Sequence, residues 1–116
     1  MDRPVTLFAS DPALLSSLRF ALSLDGFCLR SNTETPARDG CLIIDQGFHG
    51  DGFAWLASLR ASGNPSPAIL LVTHPDRAVR ASAVALDARL IEKPLAGDEL
   101  TEALTEMLTR HATPPR

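Results

Sequence analysis

The chain alternates between short, continuously apolar runs and longer stretches in which apolar residues recur at helical spacing. The continuous runs are rich in aliphatic side chains and end at polar or turn-forming residues, as buried strands do. They predict five strands, at 5–9, 27–30, 41–45, 68–73 and 90–91. The strand at 27–30 is the weakest of these predictions, and the run at 68–73 is the strongest.

The stretches between the strands carry apolar residues three and four positions apart, which predicts amphipathic helices. The first begins with Asp11 as its N-cap and Pro12 at its first position, and Gly26 ends it. Further helices are predicted over 51–60, 75–86 and 98–111. The residues predicted to face inward are Leu14, Leu15, Leu18, Ala21, Leu22, Phe53, Leu56, Leu59, Val79, Ala83, Leu86, Leu100, Ala103, Leu104, Met107 and Leu108.

Strands that alternate with helices predict a doubly wound α/β domain with one parallel sheet and helices on both faces. The domain covers residues 1–112, and 113–116 form a tail or the start of a linker. One connection is short, since only residues 32–40 join the second strand to the third, whereas a parallel crossover with its helix usually needs a dozen residues. The second helix is therefore expected to be shortened or missing.

Composition restricts the function classes. A net charge of −3 and a pI near 5.5 argue against direct nucleic-acid binding, which needs a basic face. The sequence contains neither a run long enough to span a membrane nor a signal peptide. Cys28 and Cys41 lie in apolar surroundings without metal-ligand spacing, and we interpret them as core residues of a protein in a reducing compartment, the cytoplasm.

Polar side chains follow the predicted strands at their carboxyl ends, where open α/β sheets bind ligands. These residues are Ser10, Asp45, Thr73 and Lys93, the only lysine beside ten arginines. A carboxylate, a hydroxyl and an ammonium group at one edge suit a phosphoryl group: Asp acts as a nucleophile toward phosphorus, Thr donates to an oxygen, and Lys neutralises the anion.

Simpler interpretations stay open for each residue. Asp45 could cap the following loop, Thr73 could be an ordinary strand residue, and Lys93 could be solvated. Among the histidines, His49 lies beside the proposed site and could bind a metal or a phosphate. A solvated loop position is the simpler explanation for it, since no second ligand accompanies it at a metal-like spacing. His74 and His111 are expected to be solvated.

The whole chain resembles the receiver domain of two-component response regulators. The resemblance rests on Ser10-Asp11-Pro12, Leu42-Ile43-Ile44-Asp45, Gly52, Leu71-Val72-Thr73 and Leu90-Ile91-Glu92-Lys93-Pro94. It implies a flavodoxin-like five-stranded parallel sheet with strand order 2-1-3-4-5. It also implies a module that accepts a phosphoryl group, with Mg²⁺, from a histidine kinase, a phosphotransfer protein or a small phosphodonor. By that resemblance the chain is not an enzyme beyond its own phosphorylation.

The resemblance also assigns roles to individual residues. Asp45 matches the phospho-acceptor, Thr73 the hydroxyl residue that follows the phosphoryl group, and Lys93 the lysine that pairs with it. Asp45 and the main-chain carbonyl of Gly47 match metal ligands. The bond between Lys93 and Pro94 is expected to be cis, which proline permits.

Two of the chain's departures from the family pattern affect the proposed site. The two acidic residues that hold Mg²⁺ at the end of the first strand are replaced by Ala9 and Ser10, and Ser10 offers only a neutral oxygen. Leu90 stands where the family has its switch aromatic residue. We therefore expect weak Mg²⁺ binding and slow phosphorylation or none.

Two apolar residues of the first helix, Phe20 and Leu24, lie off its main stripe. They are expected either to pack at the edge of the core or to form a partner or homodimer surface. Two functions follow: an atypical receiver that uses Asp45 as a switch, or a pseudo-receiver that binds proteins or dimerises without phosphorylation. A Mg²⁺-dependent phosphohydrolase is disfavoured because Gln46-Gly47 supplies no second carboxylate two residues after Asp45.

Overall fold

A single five-stranded parallel sheet forms the centre of the molecule. The computed structural model describes residues 4–24, 26–31, 41–64, 66–93 and 99–112. The strands are β1 (Pro4–Phe8), β2 (Cys28–Ser31), β3 (Cys41–Asp45), β4 (Ala68–Val72) and β5 (Ala88–Glu92). Their order in the sheet is β2-β1-β3-β4-β5, which confirms the predicted fold class and strand order.

Helices cover both faces of this sheet. They are α1 (Pro12–Leu24), α2 (Gly52–Ala61), α3 (Arg77–Ala85) and α4 (Glu99–Ala112), and a single 3₁₀ turn (Phe48–Gly50) precedes α2. Helices α1 and α4 pack on one face and α2 and α3 on the other. The doubly wound arrangement places every β-to-α connection at the carboxyl ends of the strands.

The central strands are buried on both of their faces. In β3, Ile43 packs against the α1 and α4 side, whereas Leu42 and Ile44 pack against the α2 and α3 side. Side chains of a strand alternate between the two faces of its sheet, so a strand covered on both sides is apolar at nearly every position. This is why the sequence of β3 is continuously apolar until Asp45.

Helix α1 begins and ends as its sequence predicts. The side chain of Asp11 accepts a hydrogen bond from the Ala13 N–H at 3.0 Å. At the other end Gly26 adopts a φ of 89°, and the Phe27 N–H donates to the Leu22 carbonyl at 3.2 Å. The Gly26 N–H also donates to the Ser23 carbonyl at 3.1 Å. The bonds of Gly26 and Phe27 form a Schellman cap, in which a left-handed glycine lets the chain leave the helix and enter β2.

Aspartates also cap the helices of the opposite face. Asp51 accepts hydrogen bonds from the first turn of α2, and Asp76 accepts one from the Val79 N–H at 2.8 Å. Because Asp76 is the cap, α3 begins at Arg77, two residues later than the predicted start at 75.

Two further local predictions differ from the structure. Ala21 is exposed rather than part of the inward stripe of α1, because it lies at the margin of that stripe and its short side chain does not reach the sheet. Strand β5 begins at Ala88 rather than at 90, because Ala88 and Arg89 pair with the start of β4. Its first residues lack the apolar run that marks the other strands.

Three predictions lie outside the described residues. They concern the shortened crossover at 32–40, the cis bond before Pro94 and the tail at 113–116. The domain boundary at 112 therefore stays a prediction. Cys41 is buried and free, which agrees with the interpretation of it as a core residue, whereas the side chain of Cys28 is outside the described part of the chain.

Candidate functional site

A charged pair lies at the carboxyl edge of the sheet. The Lys93 ammonium Nζ is 2.7 Å from the Asp45 carboxylate Oδ1, and the two side chains are 28% and 13% exposed, respectively. Asp45 ends β3, and Lys93 follows β5, so the lysine side chain reaches past the intervening strand β4. The sequence-predicted partners are thus in direct contact, in a setting that is neither fully buried nor fully solvated.

The second carboxylate oxygen of Asp45 is bound by the following loop. Its Oδ2 accepts a hydrogen bond from the Gly47 N–H at 3.1 Å. The predicted metal-binding carbonyl of Gly47 accepts a hydrogen bond from the Gly50 N–H at 3.0 Å within the 3₁₀ turn. Both predicted ligand groups therefore already have protein partners, although a carbonyl oxygen keeps a second lone pair.

Gly52 allows this loop to close on the strand. A Cβ atom at position 52 would collide with the main-chain carbonyl oxygen of Asp45. The Gly52 N–H instead donates to the Gln46 carbonyl at 2.8 Å, which brings the start of α2 back against the end of β3. A residue without a side chain is required at such a close backbone approach.

Thr73 follows β4, the strand between those that carry Asp45 and Lys93. The Lys93 N–H donates to the Val72 carbonyl at 2.7 Å, and the Thr73 N–H donates to the Gln46 side-chain oxygen at 3.0 Å. Thr73 itself is exposed at the edge of the site. The three predicted residues therefore lie at the carboxyl ends of three neighbouring strands, and Asp45 and Lys93 are in contact.

The end of β1 completes the edge without a carboxylate. Ala9 is buried, Ser10 is exposed, and the carboxylate of Asp11 caps α1. Among the described residues no group of three or more His, Cys, Asp or Glu side chains is placed to hold a metal ion. Mg²⁺ takes near-octahedral oxygen coordination, keeps several waters and is usually held by one or two carboxylates. The predicted donor set offers one carboxylate at this edge, that of Asp45, and its two oxygens already bind Lys93 and the Gly47 N–H, so this donor set fits Mg²⁺ poorly.

Three aromatic rings pack beside the loop that follows Asp45. The ring centroids of Phe8 and Trp55 are 4.4 Å apart, those of Phe48 and Trp55 5.3 Å, and those of Phe8 and Phe48 5.4 Å. Phe8 precedes Ala9, so an apolar cluster lies next to the position where the family carries its first acidic residue. Sequence reasoning did not single out Phe48. The sequence feature that could have indicated Phe48 is an aromatic residue in an otherwise polar loop.

Other residues with predicted roles lie as follows. Leu90, at the position of the family's switch aromatic, is half-buried against the α2 and α3 side of the core. His74 is exposed directly after Thr73 and has a φ of 50°. The side chains of His49 and His111 are outside the described part of the chain. Within the described ranges, no helix combines the length and the apolar character that a membrane crossing requires.

The chain is similar in sequence to a transcriptional regulatory protein. The chain is 31% identical over 114 residues to the transcriptional regulatory protein FixJ of Bradyrhizobium diazoefficiens. The match covers 90% of this chain and 55% of that protein, so the chain spans about half the length of the relative. A scan against models of known protein families finds no match.

Solved structures show the same fold. The crystal structure of FixJ-N superimposes with a TM-score of 0.79 at 22% identity, covering 99% of both chains. The response regulator StyR superimposes with a TM-score of 0.84 at 22% identity, covering 97% of this chain and 62% of that one. The strand order of the sheet, β2-β1-β3-β4-β5, agrees with these similarities in fold. The similarity to FixJ and the shared fold together support a receiver domain of the response-regulator family.

Proposed function

We propose that this receiver domain acts in phosphorelay signal transduction and that Asp45 accepts the phosphoryl group. The observation that carries the proposal is the contact between the half-buried Asp45 carboxylate and Lys93, beside Thr73. In the transfer, a carboxylate oxygen of Asp45 forms a bond to phosphorus. The bond between phosphorus and the donor breaks, and the leaving group takes its electron pair.

Lys93 has a role before and after this transfer. In the resting protein its ammonium group neutralises the carboxylate on which the new bond forms. A phosphoryl group adds negative charge and acceptor oxygens, and Lys93 can bind them without leaving the edge of the sheet. Thr73 supplies a hydroxyl donor on the neighbouring strand. The ion pair between Asp45 and Lys93 must loosen for the transfer. The paired arrangement is therefore the resting state of the switch.

The metal requirement is expected to be unusual in this proposal. Mg²⁺ binding is weak because Ala9 and Ser10 replace the acidic ligands, and the phosphorylation rate is therefore low. The donor in the cell is a histidine kinase or a phosphotransfer protein, whose docking surface lies around the same edge of the sheet. This atypical receiver is not an enzyme with a substrate of its own.

Intact mass spectrometry with acetyl phosphate and Mg²⁺ tests the proposal. We expect slow addition of one phosphoryl group to the wild-type protein and none to Asp45→Asn. The matched control is Asp51→Asn, which removes another carboxylate of the same loop but keeps a side chain that caps α2. An adduct that persists in Asp45→Asn, or no adduct at high donor and Mg²⁺ concentrations, contradicts the assignment.

A second candidate is a pseudo-receiver that works by protein binding or dimerisation. The exposed outer face of α1 favours it: Phe20 is 69% and Leu24 73% exposed, and the two lie one turn apart. Together they form an apolar strip on a helix whose other side is buried. In this case the Asp45–Lys93 pair would hold the site in one fixed state.

Light scattering tests the homodimer that the second candidate includes. If α1 forms a homodimer, the wild-type protein has the mass of two chains and Phe20→Ser has the mass of one. Val84→Ser, which removes a 78% exposed apolar side chain from α3, is the control and should leave the mass unchanged. A wild-type protein that is already monomeric contradicts the homodimer.

A further inference from the structure

The hydrogen-bond ladder between β3 and β4 continues past the last residue of β3. The Leu42 N–H donates to the Pro67 carbonyl at 2.9 Å, and the Gln46 N–H donates to the Leu71 carbonyl at 2.9 Å. A parallel ladder alternates its bonds between the two strands, two residues at a time. If the ladder continued regularly, the next bond would join the Thr73 N–H to the main-chain carbonyl of Gln46.

The structure replaces that carbonyl by a side chain. The main-chain carbonyl of Gln46 instead accepts the Gly52 N–H at 2.8 Å, which turns the chain toward α2. The Thr73 N–H is bound at 3.0 Å by the Gln46 side-chain oxygen Oε1. The carboxamide thus acts as a substitute peptide group, and it extends the ladder by one bond after the backbone has left the sheet.

This bond joins the loop that follows Asp45 to the backbone of Thr73. Gln46 directly follows Asp45, and its side chain binds the backbone of Thr73. On the far side of Thr73 lies His74, whose φ of 50° turns the chain away from the strand. Without the carboxamide, the end of β4 would be held by backbone bonds only as far as Val72.

We propose that Gln46 is a positioning residue for phosphoryl transfer. By holding the Thr73 backbone, it fixes the position of the threonine hydroxyl relative to the Asp45 carboxylate. This proposal rests on the proposed function of Asp45. Gln46 acts through Thr73 and need not touch the phosphoryl group. Preorganised placement of a donor raises the rate of a transfer because no ordering is then required during the reaction.

The substitution Gln46→Met tests the proposal. Methionine is chosen because it has nearly the length of glutamine but no amide oxygen. The first measurement is amide hydrogen exchange at Thr73 by NMR without a phosphodonor. We expect exchange to accelerate about fivefold, the loss of one ordinary hydrogen bond. Exchange at Ile69, inside β4, should stay unchanged. Gln46→Glu retains the acceptor oxygen and should keep the wild-type exchange at Thr73.

The second measurement is the rate of adduct formation as the acetyl phosphate concentration is varied. In Gln46→Met we expect the limiting rate to fall about fivefold, with the half-saturating donor concentration unchanged. A change confined to the half-saturating concentration, or an unchanged limiting rate, overturns the positioning role. Unchanged Thr73 exchange overturns the bond itself. If the wild-type protein forms no adduct, the proposed function and the positioning role both fail, and the Thr73 exchange still shows whether the bond exists.

Discussion

The two ends of the sheet each contain a cation that joins separate loops, but the partners of the two cations differ. At the carboxyl end, Lys93 pairs with the Asp45 carboxylate. At the amino end, the Arg60 guanidinium donates to four main-chain carbonyls. These carbonyls belong to Asn64 and Ser66, before β4, and to Leu86 and Asp87, before β5. Backbone carbonyls cannot be modified under cellular conditions, whereas a carboxylate can accept a phosphoryl group.

The comparison separates stability from function within one fold. The planar guanidinium presents several donors in fixed directions, so a single side chain can hold two loops at once. An ammonium group is a compact charge that can follow a partner as its charge changes. Arginine therefore suits the amino end, which must stay fixed, and lysine suits the carboxyl end, where the proposed chemistry changes the charge. This difference agrees with a chain that uses lysine only once.

Replacing Arg60 should have the largest effect. In Arg60→Met, four carbonyls lose their donor, and we expect the free energy of unfolding to fall by about 3 kcal/mol in a urea titration. Arg80→Met, which removes an exposed arginine from α3, should change it by less than about 0.5 kcal/mol. An effect of Arg60→Met no larger than that of Arg80→Met would show that the amino end does not depend on the guanidinium. The adduct at Asp45, where measured, should form at the wild-type rate in both variants.

Strand β3 offers a second comparison, because ionisable residues stand at both of its ends. Burial raises the pKa of the Cys41 thiol to about 12 from its ordinary value of 9.0. The Cys41 thiol therefore keeps its proton in the folded state at pH values where it has lost that proton in the unfolded state. Since the unfolded state binds fewer protons in this range, stability is complete below pH 9 and falls as the pH rises toward 12.

This shift predicts an alkaline loss of stability that depends on Cys41. Between pH 9 and pH 11 the free energy of unfolding should fall by about 2 kcal/mol more in the wild-type protein than in Cys41→Ala, at a slope of at most ~1.4 kcal/mol per pH unit. Urea titrations under reducing conditions measure the free energy of unfolding of the wild-type protein and of Cys41→Ala. The comparison is made in a Cys28→Ser background so that only one thiol titrates. Parallel pH curves for the two proteins would contradict the buried, protonated thiol.

The pair at the carboxyl end should contribute less to stability than Arg60. A double-mutant cycle with Asp45→Asn and Lys93→Met isolates its coupling energy, and we expect ~1 kcal/mol at low salt because both groups keep contact with solvent. The coupling should weaken as salt is added. A coupling near zero would mean that the contact between Asp45 and Lys93 contributes no net energy in solution, and the locked resting state of the pseudo-receiver would then lose its basis.

Much of this site follows from local sequence rules. Asp45 and Lys93 were predicted to meet because both follow apolar runs of a parallel sheet, whose carboxyl ends share one edge. The hydrogen bonds of Gln46 and Arg60 were not predicted, since they join residues 27 and 26 positions apart and depend on how the loops fold over the sheet. No periodicity marks a residue that binds the backbone of a distant segment. Ala88 at the start of β5 was missed for a similar reason, since pairing with β4 rather than its own residue pattern makes it a strand.

The smallest effect is expected where the backbone is left-handed. His74 follows β4 at the site end with a φ of 50°, and Asp87 precedes β5 at the amino end with a φ of 56°. Glycine adopts this conformation without the Cβ penalty, although it also gains freedom in the unfolded chain. We expect His74→Gly to be more stable than His74→Ala by about 0.5 kcal/mol in urea titrations. The same pair of substitutions at Asp87, whose carbonyl Arg60 binds, is the control at the amino end. If glycine and alanine are equivalent at 74 but not at 87, the turn after Thr73 can relax. The loop at the site would then be the more adaptable of the two ends, as a switch requires.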